Sequence, residues 1–230
     1  MKRNIFMRLT ALAAVMALLF CAPGCSGGSK EEEPVQSSGN QDENGVYYDN
    51  GETFCRGVWA ADDGESLTGY YIFTDAGSGR FEEIQLGMGV PFQVTVKGNT
   101  AGFNLGAADF SDPATVEITG EGKRSLTWTS DNRVEYLTLL GDYEPDSFRF
   151  YPVSDLSEKA ELFYRNANGK APQSTSVTVQ PDGTAAVEFS TGSGKKRKIL
   201  TTYLVNCVTG KGFVKDTEEE VDLTDLAAEE

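Results

Sequence analysis

PFQVTVKGNTAGFNL, Pro91 to Leu105, carries the pattern that decides the fold. Phe92, Val94 and Val96 alternate with Gln93, Thr95 and Lys97; after Gly98-Asn99, Phe103 and Leu105 stand either side of Asn104. A period of two sends successive side chains to opposite faces of an extended chain, so one face is apolar and the other polar. Gly98-Asn99 supplies the turn between the two runs. Outward from this hairpin the same period recurs. Val116 and Ile118 flank Glu117, and Leu126 and Trp128 flank Thr127. Turn residues separate the runs at Asp62-Asp63-Gly64, Asp75 to Gly79, Gly87 to Gly89, Ser111 to Pro113, Gly120 to Gly122 and Ser130-Asp131-Asn132.

This spacing predicts an antiparallel meander of about eight short strands over residues 46–142. Such a sheet loses its edges by closing into a barrel or by folding into a tight sandwich. The candidate interior residues are large: Trp59, Tyr71, Phe73, Phe92, Phe103 and Trp128. A barrel of about eight strands is just wide enough to be filled by side chains or to hold one small ligand. Rings of this size are expected to plug it, and a lined pocket is the alternative.

Past residue 143 the period changes. Leu156, Ala160, Phe163 and Ala167 fall on one helical face, with Ser154 as candidate N-cap and Asn168-Gly169 as the stop. Strands resume around Pro181-Asp182-Gly183 and again around Thr209-Gly210-Lys211. The fold class expected is therefore mainly β: a small antiparallel barrel or meander, then a small α+β domain over 143–224 with one helix on an antiparallel sheet. An acidic tail, 225–230, follows.

At the other end, Lys2, Arg3 and Arg8 precede the apolar run Leu9 to Phe20, 12 residues long. That is too short to span a bilayer about 30 Å thick and suits a signal-peptide core. Bulky Phe20 precedes Cys21, whereas Ala22, Pro23 and Gly24 precede Cys25. This stretch resembles a bacterial lipobox, which implies a signal peptide over 1–24, a diacylglycerol on the sulfur of Cys25, and an exported chain anchored by lipid on the outer side of the cell membrane. Residues 26–45 are Gly, Ser, Glu, Asn and Gln with one valine, too polar to fold, and read as a linker about 25 Å from end to end.

Composition excludes several chemistries. The leader holds three of the 20 basic residues, leaving 17 against 35 acidic ones, a net charge of −18 for the mature chain. Phosphate backbones are repelled by such a surface, so no nucleic-acid partner is expected. The chain contains no histidine, which removes Ser-His-Asp and Cys-His catalysis and the usual zinc sites. No cofactor or metal is expected. Ser193-Gly194-Lys195-Lys196 fits Ser-x-x-Lys, but it sits in a Gly-rich loop without that chemistry's partner motifs. Lys195-Lys196-Arg197-Lys198 reads as a solvated basic loop or as a contact for an anionic polymer. Cys55 and Cys207 are open to two readings, a disulfide or two separate thiols.

Gly57-Val58-Trp59 at the start of an all-β meander resembles the Gly-x-Trp signature of lipocalins. The likeness implies that Trp59 closes the bottom of an eight-stranded barrel and that Gly57 lets the chain bend beneath it. The order Tyr71-Ile72-Phe73, Gly89-Val90-Pro91-Phe92, Phe103 to Asp109, Pro113 to Val116 and Leu126-Thr127-Trp128 is similar to lipocalin-like domains of bacterial surface lipoproteins. Tyr203-x-Val205 before Thr209-Gly210-Lys211 resembles the closing hairpin of PepSY-type modules. Together these imply a non-catalytic, lipid-anchored surface protein that binds or masks a protein, peptide or cell-wall component. A lipocalin-type carrier of a small hydrophobic ligand is the alternative.

Overall fold

The computed structural model describes residues 50–106 and 111–226. The leader, Cys21, Cys25, the linker and the end of the acidic tail lie outside the described residues, as do residues 107–110 of the lipocalin-like pattern. A short helix, α1 (Asn50–Thr53), leads into β1 (Gly57–Asp62), β2 (Leu67–Phe73), β3 (Ser78–Glu83), β4 (Gly89–Lys97), β5 (Thr100–Leu105), β6 (Ser111–Gly120), β7 (Lys123–Trp128) and β8 (Val134–Leu140). Each strand pairs antiparallel with the next, and β8 returns to β1 with Val58 opposite Leu140 and Asp62 opposite Tyr136. The barrel is closed, so the sandwich alternative does not apply.

Two turn assignments are off by more than one residue. Ser111 to Pro113 open β6 instead of forming a turn, and β3 begins at Ser78, inside the stretch read as the turn Asp75 to Gly79. The prolines are tolerated for a geometric reason. Leu105, the last residue of β5, faces Phe92, and Trp128, the last of β7, faces Ala114. Pro91 and Pro113 each stand one position past those pairs, where only their carbonyls are used, accepting from Gly106 N–H (2.7 Å) and Thr129 N–H (2.9 Å). The missing donors fall beyond the ladder's end.

After the barrel come α2 (Val153–Asn168), β9 (Ser174–Val179), β10 (Thr184–Thr191), β11 (Lys198–Asn206), β12 (Lys211–Val214) and β13 (Glu220–Asp222). The sheet order is β13-β12-β11-β10-β9, with α2 packed on β9 and β10. Ser154 is not the N-cap. The helix starts two residues earlier than that cap implies, at Val153, with Pro152 in the cap position and no side-chain cap. Its first free N–H groups reach the barrel instead: Val153 donates to Ile84 O (2.9 Å) and Ser154 to Gln85 O (3.1 Å). Leu156, Ala160 and Tyr164 form the buried stripe, while Ala167 is exposed.

That contact between helix and barrel is part of a larger junction. Val58, Ala60, Leu67, Tyr70 and Ile72, on the outside of β1 and β2, share one buried cluster with Leu156, Val187, Phe189, Tyr203, Val205 and Cys207. Tyr70 meets Phe148 at 5.0 Å and Phe150 at 4.9 Å between ring centroids. The connection after β8 is thereby woven into the core, and barrel and sheet form one compact unit.

Candidate functional site

The sequence-derived interior residues come together inside the barrel. Trp59, Tyr71, Phe73, Phe92, Phe103 and Trp128 belong to one buried cluster, none more than 5% exposed. Consecutive rings touch: Phe73 to Phe92 at 4.9 Å, Phe92 to Phe103 at 5.9 Å, Phe103 to Trp128 at 5.3 Å. Phe54, which follows α1, adds a ring stacked on Phe73 at 5.1 Å and edge-on to Trp59 at 6.1 Å. Aromatic pairs at about 4.5–7 Å are in attractive contact, so the strand interior is filled with protein. The Gly57–Trp59 motif sits where expected, at the start of β1. A Cβ on Gly57 (φ 156°) would stand 2.7 Å from Leu139 Cδ1.

Two buried charges went unread in the sequence. Arg124, on β7, is 8% exposed and grips the entry of the chain. Its Nε donates to Thr53 O (2.7 Å) and Nη2 to Glu52 O (3.0 Å), while Nη1 donates to Lys123 O and Gly120 O. The guanidinium lies 5.3 Å from the Trp59 ring centre. At the other end of the barrel Glu135, 2% exposed, accepts from Thr68 Oγ1 (3.0 Å), the Tyr71 hydroxyl (3.1 Å) and Trp128 Nε1 (3.3 Å), with Arg133 at 3.5 Å. Burial first, then the Glu135 charge, pushes the Tyr71 phenol well above its ordinary value, so it stays a donor. Both charges are saturated by protein groups, and their arrangement is structural.

Concave sites lie outside the barrel, one of them about 580 Å³ on the outer face of β4 and β5. A cleft of about 360 Å³ opens where β1, β2 and β8 meet the β9–β10 turn and the end of β11. Ala60, Leu67, Leu140, Pro181 and Val208 give it apolar walls; Asp62, Asp182, Tyr70 and Asn206 contribute polar groups. Period-two geometry explains the sharing: Trp59, Ala61, Tyr71 and Phe73 fill the barrel, so their neighbours Ala60, Asp62 and Tyr70 look outward. Asp62 Oδ1 accepts from Gly64 N–H (2.9 Å) and Asp182 Oδ1 from Thr184 N–H (2.9 Å). Burial raises the Asp62 carboxyl above its usual value despite the Gly64 hydrogen bond. Asn206 Oδ1 is occupied by the N–H groups of Val208 and Thr209.

The remaining candidates do not assemble into a site. Cys55 is exposed beside Trp59, whose Nε1 donates to its carbonyl (3.2 Å), while Cys207 is buried in the junction; both are free thiols, so the bridged reading does not hold here. Burial pushes the Cys207 thiol up to about 12. No group of three or more metal-ligating side chains occurs among the described residues. Asp63 and Asp75 are instead turn-formers, each accepting backbone N–H groups and held below the usual carboxylate range by them. Lys195, Lys196, Arg197 and Lys198 lie exposed in the β10–β11 connection, where Arg197 donates to Ser190 Oγ and Ser176 Oγ. No family model, no curated protein and no solved structure matches the chain.

Proposed function

We propose that this chain is a non-catalytic, lipid-anchored protein of the cell surface that binds a protein or peptide in the cleft between barrel and second sheet. The filled barrel is the observation that carries the proposal. Rings from Phe54 to Trp128 occupy the space in which a carrier would hold its ligand, while an open cleft of about 360 Å³ stands at the junction. That volume is at the low end of the about 300–1,000 Å³ usual for ligand sites, room for a side chain or a small group. A closed eight-stranded meander with Gly57 and Trp59 at its opening supports the lipocalin-like reading, and a helix on a five-stranded antiparallel sheet supports the PepSY-like reading of the second part. The absence of histidine and the saturation of Glu135 and Arg124 speak for binding over catalysis.

Titration with a fluorescent fatty acid separates this from the carrier alternative. No saturable uptake is expected; uptake with a micromolar constant would make the protein a carrier. The anchor is tested by metabolic labelling. Radiolabelled palmitate is expected in the wild type and in Cys21→Ser but not in Cys25→Ser, and label retained in Cys25→Ser overturns the assignment.

A further inference from the structure

We propose that the junction cleft receives the ammonium group of a lysine side chain presented by a peptide; the inference rests on the cleft being the binding site. Its floor is the Tyr70 hydroxyl. Tyr70 is 1% exposed, yet its hydroxyl has no hydrogen-bond partner among the described residues and lines the cleft. The oxygen keeps enough contact with the cleft to be solvated there, and a ligand group that enters can take over that hydrogen bond. The space above it is kept open by a glycine. Gly183 sits in the β9–β10 turn with φ 80°, and even a Cβ there would stand 3.8 Å from the Tyr70 oxygen, within the cleft. A larger side chain would fill the approach.

The charges select what enters. Asp62 and Asp182 line the cleft, and among the described residues no lysine or arginine does. Each carboxylate has one oxygen engaged by a backbone N–H, at Gly64 and Thr184, which leaves its second oxygen for a ligand. The acceptors offered include two carboxylate oxygens and the phenol oxygen, beside the hydroxyls of Thr138 and Tyr143. An ammonium carries three donors and no acceptor, a match in charge and in hydrogen-bonding sense. The partly buried Asp62, raised first by its burial, gains from a cation beside it. Leu67, Leu140 and Val208 form walls suited to a methylene stem. A lysine places a compact charge at the end of such a stem, whereas a planar guanidinium needs a broader opening. The strongly acidic mature chain also steers cations inward and anions away.

The test uses the full mature chain in detergent and two probes that differ only in the charged group, Nα-acetyl-lysine methylamide and Nα-acetyl-norleucine methylamide. Binding is followed by backbone amide shifts and by calorimetry at low salt. The lysine probe is expected to bind at least about tenfold more tightly, with shifts centred on Asp62, Tyr70 and Gly183. Tyr70→Phe keeps the ring and its packing, so it should weaken the lysine probe several-fold with an unchanged melting temperature. Asp182→Asn, at an exposed turn, serves as the second variant and should act in the same direction. If both probes bind equally and neither variant matters, the ammonium inference falls while the cleft remains the binding site. If neither probe moves the cleft amides, both readings fall.

Discussion

Phe103→Ala should lower the free energy of unfolding by about 3–5 kcal/mol, the cost of removing a packed core ring and leaving its cavity. Phe103 is 0% exposed and stands at the middle of the aromatic stack, with ring centres of Phe54, Tyr71, Phe92 and Trp128 at 5.8, 5.7, 5.9 and 5.3 Å. These neighbours come from β2, β4, β7 and the segment before β1, and a closed barrel cannot contract around one missing ring without shifting paired strands. Phe92→Ala, at 2% exposure, should behave alike. Phe213→Ala is the control, because a ring 45% exposed on β12 should change stability far less. Denaturant melts of the three variants decide the matter. A loss below about 1 kcal/mol for Phe103→Ala, accompanied by fatty-acid binding, would mean that the interior is a ligand cavity.

Glu135→Ala is expected to cost about as much, for a different reason. The substitution strands the Tyr71 hydroxyl and the Trp128 indole N–H, both inside the barrel, at about 1–3 kcal/mol for each unsatisfied buried donor. Thr68 retains a partner, the Ala61 carbonyl at 3.0 Å, and adds little. Arg133 loses its inner carboxylate but stays half exposed over the Trp128 ring. Glu135→Gln keeps the volume and one carbonyl acceptor, so about 1–2 kcal/mol is expected for it. In a series of thermal melts the wild type should unfold last, Glu135→Gln before it and Glu135→Ala first. An Ala variant as stable as the wild type would show that the carboxylate is not what organises this end of the barrel.

Period-two patterning made most of the barrel legible, because its interior rings alternate with polar residues on β4, β5 and β7. It failed where alternation was absent. Every residue of β3 is half-buried, so Ser78 to Glu83 shows no contrast between its faces, and its first residues read as a turn. The buried charges were hidden by the same rule that revealed the rings. Arg124 shares the inward face of Leu126 and Trp128, and Glu135 that of Leu137; polar residues at inward positions read as outward ones until their partners are known. The junction did leave a mark. Tyr70-Tyr71-Ile72-Phe73 is a continuous apolar run, as expected of a strand covered on both faces, and the second cover is the sheet that follows. What the run does not reveal is which turn lies over it, and hence the cleft: Pro181 and Asp182 are more than a hundred residues away in the chain.

The grip of Arg124 on the carbonyls of Glu52 and Thr53 has a mechanical meaning. Tension carried into Glu52 and Thr53 is shared by this guanidinium, which is rooted in β7, on the strand before the one that closes onto β1. The load is then spread sideways across β7, β8 and β1. Because β1 lies hydrogen-bonded between β2 and β8, a pull along it shears two ladders at once and cannot unzip one bond after another. A pull entering at Thr53 is therefore met by the arginine's hydrogen bonds as well as by both ladders of β1.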